Sequence, residues 1–596
     1  MSKTKKIIMT GNEAVALGAY EAGIHYAAAY PGTPSTEILE EIAKYKEEII
    51  AEWAPNEKVA LESALGASIY GARSLAAMKH VGLNVAADPF FTAGYTGING
   101  GMVLVVADDP GLHSSQNEQD NRYYTKFGKV PMLEPSNSQE AKDMVKMAIE
   151  ISEEFDALVV LRLTTRICHS KSLVEVGERK EVPLKPYKKN LMKYYVAPAV
   201  AKQLHVVVEE KMEKLKEFSN KTELNFVEWN DKKIGVVSSG IAYQYAKEVF
   251  GDKASYFKVG FTFPLPIERI REFANKVETL YVIEELEPFI EEQIKAAGIQ
   301  CIGKEKIPNI WELNPEIIEK GIFGREKPVI DYDKSIIANR PPTLCAGCPH
   351  RGFFYGLSKR KDTIITGDIG CYTLGGADPL GAMDTTICMG ASISLGHGME
   401  RLIDKYGDDK RVVSVIGDST FFHSGMTGLL NVVYNKSNTI TCILDNRVTG
   451  MTGHQDNPGT GFTLQGDPTD MADIPKIVKS LGVKHVKTVN PLKLDELNEA
   501  FDWAYKLDEP SVIISRWPCA LKKLSEYDVE EFGNAKGVCE IDQDTCIGCK
   551  MCVNTGCPAI SFDKEIKKSK IDPVQCVGCQ LCMQVCPTKA ISKVGE

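Results

Sequence analysis

The chain has 596 residues, 43% of them hydrophobic and 25% charged, and a net charge of −10. Such a length holds roughly three to five domains with their own cores, and the composition is that of an ordinary globular protein. The acidic balance, with no basic arm, excludes general nucleic-acid binding; no apolar stretch approaches the ~20 residues of a membrane span, and Ile7-Ile8-Met9 is too short for an export signal.

Residues 1–176 alternate short apolar runs with amphipathic stretches. Ile24 to Tyr30 reads as a strand, followed by Pro31-Gly32 and a helix start at Ser35-Thr36-Glu37. Val59 to Tyr70 reads as an Ala-rich helix, and Met102 to Ala107 and Ala157 to Leu163 as buried strands. Strands separated by helices predict a doubly wound parallel sheet. Residues 177–233, rich in Lys and Glu with helical spacing over Val206 to Phe218, are expected to form a connector and cover. A second α/β domain, 234–335, carries strand candidates at Ile234–Val237, Ala254–Val259 and Thr279–Glu284. A third, 336–520, carries them at Thr363–Ile365, Val412–Ile416, Thr439–Leu444 and Val512–Ser515. A charged linker, 521–536, leads to a small cysteine-rich α+β module, 537–596. The expected fold class is therefore α/β, several doubly wound parallel-sheet domains with a small cysteine-rich α+β module at the carboxyl end.

Eight cysteines of that module fall as Cys546, Cys549, Cys552, Cys557-Pro558 and Cys576, Cys579, Cys582, Cys586-Pro587. The second run is C-x2-C-x2-C-x3-C-P, the two-cluster ferredoxin spacing in which three cysteines hold one iron–sulfur cube and the fourth crosses to the other. The spacing assigns Cys546, Cys549, Cys552 and Cys586 to one [4Fe-4S] cluster, and Cys576, Cys579, Cys582 and Cys557 to the second. The first run has one extra residue, with Val553-Asn554-Thr555-Gly556 before Cys557. That leaves the second cluster open between a cubane and a three-iron or otherwise altered form. Zinc knuckles or disulfides are the competing reading, but a chain this long needs no staple, and zinc sites pair two C-x2-C units. Thiolate ligands place the protein in a reducing, cytoplasmic compartment. Cys168, Cys301, Cys388, Cys442 and Cys539 lack partners at ligand spacing and read as small core residues.

In the third domain an apolar run from Arg411 ends in Gly417-Asp418-Ser419, and the run Thr439 to Leu444 leads into Asp445-Asn446-Arg447-Val448, Asn446 standing 28 positions after Asp418. Two strand ends of one parallel sheet present a carboxylate and an amide oxygen to a single magnesium ion, which takes octahedral oxygen ligands and keeps phosphates among them. Gly417 and the helix start behind it let backbone N–H groups approach a diphosphate. An Asp cap and an Asn turn are the competing reading.

The G-D-S…D-N pair resembles the thiamine diphosphate motif, usually G-D-G followed by N-N, with Ser419 in place of the usual Gly. The resemblance implies that Asp418, the Asn446 side chain and the Val448 carbonyl hold magnesium. Cys345-Ala346-Gly347-Cys348-Pro349-His350 and Gly370-Cys371 resemble the proximal-cluster cysteines of 2-oxoacid:ferredoxin oxidoreductases, with Cys519 in W-P-C-A matching the fourth. Cys345, Cys348, Cys371 and Cys519 are thereby implied to hold a third cluster; zinc or free thiols stay open there. Thr449-Gly450-Met451-Thr452-Gly453 resembles the loop after the magnesium asparagine. In A-L-E-S-A-L-G-A-S, Glu62 matches the carboxylate that activates the cofactor through its aminopyrimidine, a paired core charge being the alternative. Tyr30 to Ser35 resembles the family's Y-P-x-T-P-S, which makes Thr33 a substrate contact; the alternative is a turn bounded by prolines. Asp108 through Asp120 resembles the substrate-side loop, and Arg122 is the nearest arginine for a substrate carboxylate. His25, His113, His423 and His454 receive no role.

The order of domains resembles that of the alpha subunits in the indolepyruvate branch of this family. It implies oxidative decarboxylation of an aryl pyruvate with coenzyme A as co-substrate, giving an aryl-acetyl-CoA and two electrons for an external ferredoxin. It also implies a separate beta subunit carrying the gamma-type domain, in an α2β2 assembly. Lys564, Lys567, Lys568 and Lys570 are candidates for meeting an acidic ferredoxin, or form a solvated loop. Other 2-oxoacid oxidoreductases, a non-oxidative keto-acid decarboxylase and a non-catalytic electron-transfer subunit remain the rivals.

Overall fold

The computed structural model describes residues 5–326, 328, 330, 332–338, 340–533 and 537–594. The chain divides into two compact units, residues 1–332 and 333–596.

The first unit is built on a seven-stranded sheet ordered Phe261–Phe263, Met132–Leu133, Val159–Thr164, Met102–Asp108, Ser74–Lys79, Tyr26–Ala29 and Ile50–Trp53. Neighbours run parallel except the outermost pair, Phe261–Phe263 on Met132–Leu133. Met102–Asp108 is buried along its whole length, which is why it reads as one continuous apolar run instead of an alternating one. The helix Glu57–Tyr70 starts where the Asn56 side chain accepts the Val59 N–H and stops at Gly71, whose φ of 116° suits glycine. The chain leaves Tyr26–Ala29 toward one edge of the sheet and leaves Ser74–Lys79 toward the other, so a topological switch point lies between these strands.

A second, four-stranded sheet is ordered Thr279–Ile283, Ile234–Ser239, Ser255–Val259 and Phe226–Glu228, the last antiparallel. The segment 234–335 is not self-contained, because its strand Phe261–Phe263 closes the edge of the first sheet. The Lys- and Glu-rich connector contains the helix Pro198–Ser219, which turns Leu204, Val208, Met212 and Leu215 inward. Lys211 Nζ in that helix donates to the Asp156 carbonyl.

The second unit has a six-stranded, all-parallel sheet ordered Thr385–Thr386, Thr363–Gly367, Arg411–Gly417, Ile440–Asp445, Ser511–Arg516 and His485–Val489. Its switch point lies between Thr363–Gly367 and Arg411–Gly417. The cysteine-rich module consists of two small antiparallel pairs, Val538–Ile541 with Ile591–Val594 and Ile560–Asp563 with Lys568–Ile571. It is docked rather than tethered at a distance, since Leu581, Val585 and Ile591 share one hydrophobic core with Phe353, Phe354 and Phe501. The charged linker folds into the helix Glu526–Phe532, opened by a capping box between Ser525 and Asp528; its residues 534–536 lie outside the described residues. Among the described residues no helix is long and apolar enough to cross a membrane.

Candidate cofactor site and cluster ligands

Beside the second unit's switch point the strand Arg411–Gly417 delivers Asp418 and its neighbour Ile440–Asp445 delivers Asn446. Gly417 and Leu444 stand side by side in the parallel register, so Asp418 and Asn446 leave the same end of the sheet. Both are buried. Arg447 takes left-handed backbone, φ 58°, and the Val448 carbonyl oxygen lies 2.8 Å from one terminal atom of the Asn446 amide. The same amide atom is 3.2 Å from Asp418 Oδ1. The two ends of an amide are told apart by their hydrogen bonds. As NH2, this end donates to both oxygens; as C=O, it places three oxygens about an edge apart on an octahedron, for which metal–oxygen bonds of 2.0–2.1 Å give oxygen separations of roughly 3 Å. Asp418 has no ion-pair partner among the described residues; the Asn457 amide donates to its Oδ2 at 3.3 Å. Burial, reinforced by neighbouring Asp445, pushes the Asp418 carboxyl up to about 7. An oxygen-seeking divalent cation fits this donor set. Asp445 is itself neutralised by Arg516 at 2.7 Å. Ser419 accepts a hydrogen bond from the Thr449 hydroxyl at 2.9 Å, which ties the loop after Asn446 to the helix start. Backbone helix runs on from Asp418 to Tyr434 through a π-helical stretch at Phe421–Gly425.

The Cys519 N–H donates to the Asn446 carbonyl at 3.0 Å, which brings the late cysteine to the cation end of the sheet. Cys345, Cys348, Cys371 and Cys519 lie within electrostatic reach of one another. Burial pushes the Cys348 thiol up to about 12 and that of Cys371 to about 11, with Cys519 next to both. Burial raises Cys519 too, and Cys345 and Asp418 reinforce it. The eight terminal cysteines separate into two recesses. Cys546, Cys549, Cys552 and Cys586 line one, and Cys557, Cys576, Cys579 and Cys582 line another. The additional residue before Cys557 is absorbed by a 3₁₀ turn, Val553–Thr555, closed by Gly556 at φ 71°, so Cys557 still reaches its recess. Among the described residues no group of three or more His, Cys, Asp or Glu side chains is gathered tightly enough for a single metal ion.

Other residues depart from expectation. Glu62 does not sit isolated among apolar neighbours: its side chain is 44% exposed and paired with Lys58 one helical turn away. The buried carboxylate on that helix is Glu57, one of two carboxylates facing the Lys79 ammonium. Thr33 is half-buried in the loop after Tyr26–Ala29. Ser35 does not cap the helix behind it; its hydroxyl donates to the Gly32 carbonyl instead. Lys79 ends the next strand, donates to the Ser114 carbonyl at 2.8 Å, and is pushed down to about 8 by burial against the pull of Asp109 and Glu57. Thr33, Glu57 and Lys79 thus frame the first unit's switch point.

Arg122 is not open to a substrate carboxylate. It is 1% exposed and held by Asp120 at 2.5 Å and Glu284 at 2.7 Å. Cys168 and Cys442 are buried as expected, but Cys388 is exposed and Cys301 half-buried. Cys539 lines the Cys557 recess, and its N–H donates to Cys576 Sγ at 3.3 Å. Asn457 carries no spacing signal in the sequence, whereas Arg351 has one, since it follows directly on the C-x2-C-P-H run.

Three family models match along the chain. The thiamine diphosphate-binding model of pyruvate flavodoxin/ferredoxin oxidoreductases covers residues 17–229, the C-terminal TPP-binding domain of thiamine pyrophosphate enzymes covers 368–515, and a 4Fe-4S dicluster domain covers 545–590. Indolepyruvate oxidoreductase subunit IorA of Pyrococcus abyssi is 42% identical, over 99% of this chain and 97% of its own. The subunit of that name from Archaeoglobus fulgidus is 40% identical, over 98% and 97%. A solved 2-oxoglutarate:ferredoxin oxidoreductase from Magnetococcus marinus, with 2-oxoglutarate, coenzyme A and succinyl-CoA bound, aligns at 18% identity and a TM-score of 0.47, over 54% of this chain and 66% of its own. With two-fifths of its residues shared over nearly the whole length, and with thiamine-binding and dicluster domains in the same order, the chain belongs to the family of indolepyruvate oxidoreductase IorA subunits.

Proposed function

We propose that this chain is the thiamine diphosphate and iron–sulfur subunit of an enzyme that oxidatively decarboxylates aryl pyruvates with coenzyme A, yielding an aryl-acetyl-CoA and reducing an external ferredoxin. The observation that carries the reading is the meeting of Asp418, Asn446 and Val448 oxygens at a buried sheet end, with Cys519 hydrogen-bonded to the Asn446 backbone. Asp418, the Asn446 amide oxygen and the Val448 carbonyl would hold magnesium, while Gly417 and Ser419 at the helix start offer backbone N–H groups to a diphosphate. When bound, thiamine diphosphate supplies the nucleophilic carbon and electron sink for losing CO2 from a 2-oxo acid. Glu57 replaces Glu62 as the carboxylate for the cofactor's aminopyrimidine, because a buried carboxylate holds one protonation state and one geometry better than a solvated one. Thr33 is retained as a substrate contact.

Two [4Fe-4S] clusters are assigned to the recesses of the terminal module and a third to Cys345, Cys348, Cys371 and Cys519. The buried thiols would be deprotonated by iron, as coordinating thiols are. The domain limits of the sequence reading are kept, with the strand Phe261–Phe263 shared across one of them. We further assign a separate beta subunit bearing the gamma-type domain, an α2β2 assembly and a cytoplasmic location. Of the four lysines suggested for ferredoxin docking, Lys570 is paired with Asp563 at 2.6 Å and Lys568 donates to the Gln543 carbonyl. Lys564 and Lys567 are left for the partner.

The test is a keto-acid panel on the anaerobically purified complex. Indolepyruvate, phenylpyruvate and hydroxyphenylpyruvate should each reduce ferredoxin only when coenzyme A is present, with an aryl-acetyl-CoA as product. Aldehyde formation with ferredoxin left oxidised would make the protein a non-oxidative decarboxylase, and no turnover with full thiamine loading would make it a carrier.

A further inference from the structure

Arg351 is the second residue of the helix His350–Leu357, which follows the Cys345–Cys348 loop. It is among the largest fully buried side chains of the protein, at 2% exposure. Its guanidinium donates from Nη1 to the Thr555 carbonyl at 3.0 Å and from Nη2 to the Cys345 carbonyl at 3.0 Å and the Leu344 carbonyl, while Nε has no partner among the described residues. No carboxylate is paired with it among the described residues. Thiols face it, Cys557 and Cys579 from the terminal module and Cys348 and Cys345 from the C-x2-C loop. A buried cation without a carboxylate is unfavourable unless another anion compensates it. A cube held by four thiolates is such an anion, doubly negative when oxidised and more so when reduced.

We propose that Arg351 is a fixed positive charge set between two iron–sulfur clusters, one on Cys345, Cys348, Cys371 and Cys519 and the other on Cys557, Cys576, Cys579 and Cys582, and that it raises the reduction potentials of both. This rests on the three-cluster reading above. Net charge near a cluster and its burial are principal determinants of its potential, and a permanent cation favours the state with the extra electron. One electron leaves one cube and enters the other, no bond forms or breaks, and the guanidinium keeps all its protons. The same side chain hydrogen-bonds the ligand loops of both clusters, through the Cys345 carbonyl on one side and the Thr555 carbonyl, two residues before Cys557, on the other. Thr555 belongs to the segment lengthened by one residue relative to the ferredoxin spacing, so that departure has a use: it turns a carbonyl toward Arg351. The loops also touch directly, for a Cβ on Gly347 would lie 2.1 Å from Val577 Cγ2. Arg351 is a positioning residue, not a cluster ligand.

The experiment is an EPR-monitored redox titration, with iron analysis, of the holo complex as wild type, Arg351→Gln and Arg351→Lys. Wild type should contain three cubes; two would end the three-cluster reading and this proposal with it. With iron retained, Arg351→Gln should move two of the three couples to lower potential by at least a tenfold change in oxidised-to-reduced ratio, about 59 mV for one electron, leaving the third in place. Arg351→Lys keeps the charge and should hold all three within that margin. Unshifted potentials in Arg351→Gln would overturn the proposal. So would an Arg351→Lys shift beyond the margin with iron intact, an outcome that stands even if the Gln variant loses iron.

Discussion

Replacing Arg122 with Met tests whether this arginine is a structural hub or a substrate contact. Its guanidinium makes three bonds to Asp120, two from Nε at 2.8 and 3.0 Å and one from Nη2 at 2.5 Å, and one from Nη1 to Glu284 at 2.7 Å, and caps the Glu285 and Glu287 carbonyls at 2.8 and 3.0 Å. Removing one partner of a buried ion pair costs about 3–5 kcal/mol, because the other charge is left uncompensated. The carboxylates are only partly orphaned here. Asp120 keeps Arg162 at 3.7 Å, and Glu284 keeps backbone N–H groups from Ile290 and Glu291, each at 3.0 Å. The expected loss is therefore at the lower end, about 3 kcal/mol. At roughly 2 °C per kcal/mol for a large domain, that is a fall of about 6 °C in Tm. Calorimetry of the holo complex checks it, with KM for the keto acid measured well below the transition. Asp120→Asn in the same background should recover part of the loss, since the two residues share one network. The reasoning fails if Tm is unmoved, or if KM for the keto acid climbs while Tm stays where it was.

Glu57→Gln should lower ferredoxin reduction by at least ~10²-fold, in the range typical of a lost proton-transfer group, whereas Glu62→Gln should stay within about twofold; the reverse pattern in the steady-state rates would return the role to Glu62. Cys519→Ser should remove the iron of one cube and leave the EPR signals of the terminal pair, and unchanged iron content would rule out that ligand. Gly556→Ala forces a side chain onto a φ of 71° and puts its Cβ 3.0 Å from Arg351 Nη1 and 3.1 Å from Pro379 Cδ. About 1–2 kcal/mol of left-handed strain should appear as faster iron loss to a chelator, and a wild-type rate would count against it.

Much of the second unit is legible in sequence. The strands at 363–367, 411–417, 440–445 and 511–516 are buried on both faces, so each shows up as an apolar run bounded by polar residues. The grouping of the eight terminal cysteines follows from spacing alone, since crossing ligands are a property of the motif. The short strand Thr385–Thr386 and the half-exposed His485–Val489 have no such run and went unseen. Glu62 is exposed instead of lying amid apolar neighbours because neighbours in a helical sequence do not share one face: Glu57 and Glu62 are five residues apart, which turns the second well away from the first. The role of Phe261–Phe263 at the edge of a sheet built from residues far earlier in the chain is a tertiary choice that local pattern does not encode. The same holds for Arg351, whose charge matters only once the terminal module docks beside it.

The account turns on electrons leaving a thiamine-bound substrate for iron–sulfur clusters in the same polypeptide. Rapid mixing of the anaerobic holo complex with indolepyruvate and coenzyme A, without external ferredoxin, followed by freeze-quench EPR, tests this most directly. Reduced-cluster signals should appear within a turnover in wild type and be absent in cluster-loaded Asp418→Ala. Carbon dioxide release with every cluster still oxidised, or equal signals in both proteins, would contradict it.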